Sequence, residues 1–363
     1  VIGTFLRNMD DLREISPLLP KKPLTAVIIC ESLKEAFIDG DWRRFDVKGK
    51  VVFKWFFWVL LSIVLFAAGI EAAFLSPFII LAAPAPLMIL VCRQGAREGA
   101  LGALFGTLLV YALMGPVSAF MYTCEFGLLG LVMGILLVKA HSGADYVIFA
   151  VAASVAVKML LMGVFTYAAG VNPFAVTPEA AQGIVAAFSA ALSQGGVSLS
   201  PESVKNYAEA MVQTVSLMMP SMLILFAAAD TMVGYVLTRL YFRKAGGVKL
   251  PSLPPFAYWR FPKNIFWALL AALILDMASK AFPDEGLYRM LSLNLMEVLR
   301  GIFLVEGLSL LWYFMSAYKV NRVVRTALVL FCAFFAPVSY VLSMVGIFDI
   351  WYDLRKRVEL RRK

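Results

Sequence analysis

The stretch YVIFAVAASVAVKMLLMGVFTYAA, Tyr146–Ala169, decides the fold. It is long enough to cross a bilayer as a helix, at about 1.5 Å per residue against a hydrocarbon core of about 30 Å. Lipid offers the backbone no hydrogen-bond partner, so such a run must be helical. It carries one charge, Lys158, near its middle. The runs on either side repeat the pattern. Pro116–Val138 holds Glu125 close to its centre, and Pro220–Leu240 holds Asp230 at its centre. An ionisable group at bilayer depth costs about 2.5–3.5 kcal/mol on insertion scales, so it needs a partner or a task. Glu125, Lys158 and Asp230 are therefore the first candidate site, for a small polar solute or an ion. The competing reading is a structural ion pair.

The rest of the chain extends this class. Of 363 residues, 61% are hydrophobic and 16% charged, with mean hydropathy +0.81. A soluble domain carries about 25% charged residues. Nine apolar segments follow in order: Trp55–Ala73, Pro77–Cys92, Ala100–Met114, Pro116–Val138, Tyr146–Ala169, Pro220–Leu240, Ile265–Phe282, Leu287–Ala317 and Val323–Phe348. Pro84 and Pro86 interrupt the second, and Pro337 the last. The expected fold is an all-α polytopic bundle of eight or nine membrane segments.

Flanking charge orients it. Lys48, Lys50 and Lys54 precede the first segment, Arg93 and Arg97 follow the second, and Lys139 follows the fourth. Arg239, Arg243, Lys244, Lys249, Arg260 and Lys263 surround the loop after the sixth. The positive-inside rule places these in the cytoplasm and the N-terminus with them. The loop Gly170–Met219 belongs outside, with helices expected over Pro178–Leu192 and Pro201–Gln213. The last three segments strain the rule. Lys319, Arg322 and Arg325 ask for the inside after the eighth, yet a ninth crossing would export Arg355, Lys356, Arg357, Arg361, Arg362 and Lys363. Four regions result: a polar extension, 1–50, with an amphipathic pattern at Thr25–Ile38; a six-helix unit, 51–245, with its outer loop at 170–219; a cytoplasmic loop, 246–263; and C-terminal helices with a basic tail, 264–363.

Secondary clusters are weaker. Asn294, Glu297 and Arg300 share one helix face by their spacing of three, with Glu306 further along, and Asp276 can pair with Lys280. For all of these the structural reading leads. The loop GGVKLPSLPPFAYWRFPK is stiffened by prolines, and Pro254, Pro255, Phe256, Trp259 and Arg260 are candidates for docking a partner, or for packing on headgroups. Gly102/Gly106 and Gly130/Gly134 read as close helix contacts. Trp55–Trp58 and Trp312–Phe314 read as interface anchors.

Several classes are not expected. The net charge of +9 clusters beside membrane segments, which suits lipid headgroups and not nucleic acid. Cys30, Cys92, Cys124 and Cys332 have no paired spacing, and His141 is the only histidine. Neither a disulfide framework nor a metal centre is expected. No HExxH, GxSxG, Walker A or GxGxxG pattern occurs, so neither an enzyme nor a cofactor is expected.

Four stretches carry a resemblance: APAPLMILVCRQGAREGALGALFG (Ala83–Gly106), PPFAYWRFPKNIFWALL (Pro254–Leu270), NLMEVLRGIFLVEGLSLLWYF (Asn294–Phe314) and VGIFDIWYDLRKR (Val345–Arg357). Together they resemble the YybS-like family of bacterial membrane proteins. That family is distantly similar to the substrate-binding S-components of energy-coupling-factor transporters. The resemblance implies a six-helix first part in the bacterial inner membrane, a small bound solute and a separate energising partner. The rival expectation is a membrane scaffold that recruits proteins, and a third is an ion or proton pathway.

Overall fold

A computed structural model describes residues 42–72, 74–169, 201–282 and 286–356, with scattered positions between 182 and 190. Every regular element in the described residues is helical: α1 (Trp42–Glu71), α2 (Ser76–Ala82), α3 (Ala85–Gln94), α4 (Ala96–Tyr122), a π-helical turn (Thr123–Leu128), α5 (Leu129–Lys139), α6 (Gly143–Ala169), α7 (Pro201–Ala245), a 3-10 turn (Phe256–Tyr258), α8 (Ile265–Ala281), α9 (Gly286–Ala317), α10 (Arg322–Phe334) and α11 (Ala336–Tyr352). Six helical stretches among these residues are long and apolar enough to cross a membrane, or seven if the bent pair α10–α11 counts as one. The eight or nine expected segments are regrouped in this tally for identifiable reasons. The third and fourth run on as Ala96–Lys139, α8 has only 17 residues, and α10 turns into α11 through 99°.

Contacts divide the chain into two compact units. Among the described residues, one comprises 42–79 with 83–135 and the other comprises 80–82 with those from 136 onward. The fifth and sixth expected segments thus cluster with the C-terminal helices, not with the first four.

In the first unit, the backbone of Gly115 takes φ 85° just before Pro116, which breaks the long element. A positive φ is open to glycine at little cost. The two legs then fold back on each other. Thr107 Oγ1 meets Thr123 Oγ1 at 2.8 Å, and Gly127 faces the Ala103 side chain, so contacts are equidistant about residue 115. That is an antiparallel helical hairpin, and the third and fourth segments are its arms. Ala85–Cys92 of α3 are all buried. Gly102, Gly130 and Gly134 present bare backbone to Leu87, Leu90 and Val91 of that helix. Lipid tails are as apolar as leucine, so this close packing holds the helices together where water exclusion cannot. Trp55 and Trp58 are buried here, and the Trp55 indole donates to the Glu98 carbonyl at 3.1 Å. They face the protein interior, which corrects their assignment as interface anchors.

In the second unit, α6 buries the stripe Tyr146, Ala150, Ser154 and Lys158, each one turn apart. It lies on the α7 stripe Leu223, Ala227, Thr231, Tyr235 and Thr238. The Tyr146 and Tyr235 rings stack, while Lys158 reaches Asp230, so the pair is antiparallel. α7 runs 45 residues through Pro220 without interruption. The outer helix expected at Pro201–Gln213 and the sixth segment are therefore one element. The Thr25–Ile38 helix falls outside the described residues, and of Pro178–Leu192 only scattered helical positions are described.

Two more helices run in the direction of α7. Asn294 of α9 meets Leu217 and Ser221, and Gly301 meets Leu225, so residue numbers rise together along α7 and α9. The same holds for α9 and α11. Arg300 lies over Tyr340, Gly346 packs on the Phe303 carbonyl, and Glu306 lies beside Asp349. Gly307 and Gly346 make that crossing possible, because a Cβ on either would strike the partner's backbone carbonyl.

Candidate functional site

Asp230 is 1% exposed and Lys158 9%, and their charged atoms lie 2.7 Å apart. Ser154, one turn before Lys158, donates to both carboxylate oxygens at 2.9 and 3.1 Å. Thr231 offers a longer contact at 3.4 Å. An uncompensated charge here would be expensive, and the pair with its hydroxyl donors removes most of that cost. Ser154 was missed in the sequence, although it stands four residues before Lys158 on the same face. The structure joins two of the three sequence candidates. Glu125 belongs to the other compact unit, where it sits half-buried in the π-helical turn. Such turns recur at functional sites.

The secondary candidates separate by role. Asn294 Nδ2 donates to the Leu217 carbonyl at 2.7 Å, and its Oδ1 accepts from the Ser221 N–H at 2.7 Å. Both groups flank Pro220, whose ring removes a helical hydrogen bond. The side-chain amide thus serves the backbone at a proline in an apolar helix. Glu297 and Arg300 bond to each other, with Arg300 also stacked on Tyr340 at 4.8 Å. Asp276 and Lys280 pair at 2.7 Å in the exposed position that their spacing predicts.

The proline-rich loop is engaged with its own chain. At one end the Tyr235 hydroxyl donates to the Pro251 carbonyl and accepts from the Leu253 N–H, both at 3.0 Å. Further on, Ser309 donates to the Phe256 carbonyl at 2.6 Å, and Arg355 Nη1 to the Ala257 carbonyl at 2.8 Å. Glu306 Oε2 accepts from the Phe261 N–H at 2.9 Å. Phe256 and Trp259 are half-buried, and Arg260 makes two hydrogen bonds to Asp353; Pro254 and Pro255 stay exposed. Much of the surface proposed for a partner is thus a strap tying α7 to α9 and to the end of α11. Arg260 holds the Asp353 carboxyl below the usual aspartate range; the Lys356 backbone N–H assists and slight burial opposes.

Beneath the strap lies a polar centre that sequence reasoning passed over. Glu306, Ser309, Asp349 and Arg355 are each at most 5% exposed. Arg355 Nη2 lies 3.2 Å from Glu306 Oε1, and its Nε lies 3.2 Å from Asp349 Oδ2. Asp353, at a left-handed φ of 46°, ends α11 and lets the chain turn so that Arg355 points back under the strap. The signal was available: three of the four characteristic stretches, 254–270, 294–314 and 345–357, meet at this centre.

Residues 60–350 match the family described as a predicted membrane protein (DUF2232). The match spans well over half of the sequence, and the chain belongs to that family of predicted membrane proteins. No curated protein and no solved structure matches it.

Proposed function

We propose that this integral membrane protein binds or translocates a small polar solute, with Lys158, Asp230 and Ser154 as its polar centre. The observation that carries the reading is the buried, hydroxyl-supported ion pair between the middles of α6 and α7. A zwitterionic solute can insert its two charges into such a pair, because each ion then keeps a partner. On this reading the chain is a carrier or receptor and not an enzyme, set in the bacterial inner membrane with its N-terminus in the cytoplasm. The basic flanks of α1 and α7 support that orientation. The resemblance to YybS-like proteins and to S-components adds a separate energising protein as partner. The scaffold alternative loses part of its motivation, since Phe256, Ala257 and Trp259 give their carbonyls to Ser309 and Arg355.

The test is mass spectrometry of small molecules that co-purify with the full chain in nanodiscs. The parent is expected to carry a polar species that Lys158→Met and Asp230→Asn both lose. If parent and folded variants carry the same species in the same amount, the pair is structural only.

A further inference from the structure

The polar centre under the strap does not balance its charges. Glu306 is 1% exposed and Asp349 is 0% exposed, and the two carboxyl groups face each other within hydrogen-bond reach. Two ionised carboxylates are acceptors only, so they hold no hydrogen to share. Two of them in contact away from water do not both stay ionised. Arg355 supplies one positive charge to both. Its approach to Asp349 Oδ2 lacks hydrogen-bond alignment, which leaves that buried oxygen without a donor. Arg260 faces the cluster from the strap but is committed to Asp353 at the rim. Glu306 from α9 and Asp349 from α11 thus share the one buried cation, Arg355, while Asp353 at the rim faces Arg260 and Lys356. In the buried part of the cluster one negative charge is in surplus.

We propose that Glu306 and Asp349 together bind one proton, and that this proton keeps the strap docked. The hydrogen lies between the two carboxyls, gives Asp349 its missing partner and brings the cluster to neutrality. Glu306 is then free to accept the Phe261 N–H and the Arg355 guanidinium at once. Releasing the proton turns the carboxyl contact into like-charge repulsion. Glu306 can relieve that only by moving off Asp349, which gives up its bond to Phe261. The strap also holds Tyr235, five residues from Asp230 on α7, so its release loosens the inner end of that helix. The proton site stands on its own geometry and does not depend on a solute at Lys158.

Two measurements on the full chain in lipid nanodiscs decide the matter. Infrared spectroscopy is expected to show a protonated-carboxyl band at neutral pH that both Glu306→Gln and Asp349→Asn remove. Amide exchange across residues 256–261, corrected for its intrinsic pH dependence, is expected to lose protection on the order of tenfold or more as the band titrates away at rising pH, the scale of one hydrogen bond to a charged group. In Glu306→Gln that pH dependence is expected to flatten. Should either variant fail to fold, the parent still answers. A band and strap protection lost together support the shared proton. A parent with no such band, or with strap protection unchanged across the titration, overturns it.

Discussion

At the level of single residues, Lys158 and Asp230 were readable because a charge inside an apolar run is conspicuous whatever the tertiary structure. Their pairing was not readable, because depth along a helix says nothing about azimuth. Azimuth is what Ser154 fixes: one turn from Lys158, it points the same way and binds the same carboxylate. Glu125 shows the limit, sharing the expected depth but falling in the other compact unit. The pair makes an energetic prediction. Asp230→Asn strands the Lys158 ammonium in an apolar setting and is expected to cost about 3–5 kcal/mol of unfolding free energy. Lys158→Met combined with Asp230→Asn removes both charges, so the double variant is expected to be more stable than Asp230→Asn alone. Denaturant unfolding in mixed micelles measures all three; a double variant as damaged as the sum of the singles would mean that the two charges do not interact.

At the level of elements, every expected apolar run in the described residues became helical, because the lipid constraint on backbone groups leaves no other choice. What pattern could not supply was where helices end or continue. Pro220 reads as the start of a segment, yet α7 passes through it. The reason sits 74 residues away in α9. Asn294 offers one donor and one acceptor where the proline has weakened the ladder, so the backbone is satisfied without water. A local pattern cannot contain a hydrogen bond supplied by another helix. Asn294→Leu is therefore expected to destabilise the protein by roughly 1–3 kcal/mol for each group left unsatisfied. Pro220→Ala restores a backbone N–H and should recover part of that loss in the Asn294→Leu background while doing little alone. Thermal unfolding of the four combinations closes the cycle, and strictly additive effects would show that the asparagine does not act on the proline.

At the level of the molecule, the sequence left the side of the C-terminus undecided because counting nine crossings exports a basic tail. The second unit removes the conflict by direction and not by count. α7, α9 and α11 run the same way, and each ends in basic residues: Arg243 and Lys244, then Lys319 and Arg322, then Arg355 and Lys356. α10 is the return path that makes this possible. It is pinned to the end of α9 by Arg325, which bonds Ser316 and lies 5.1 Å over Trp312, and it turns through 99° into α11. Whatever depth α10 reaches, the chain leaves on the side where α9 ends. The strap follows α7 and docks over Arg355, so it lies at that same end and ties the three helix termini together. One face of the unit thus carries the basic residues that the positive-inside rule assigns to the cytoplasm. Single cysteines replacing Lys244, Tyr318 and Lys356, in a chain whose four native cysteines are changed to serine, test this in sealed inverted vesicles. A membrane-impermeant maleimide is expected to label all three positions from the cytoplasmic side and none from the other. Labelling at 356 from the opposite side to 244 and 318 would mean that α10 and α11 cross as one broken span, and the parallel packing of α9 on α11 would have to be abandoned with it.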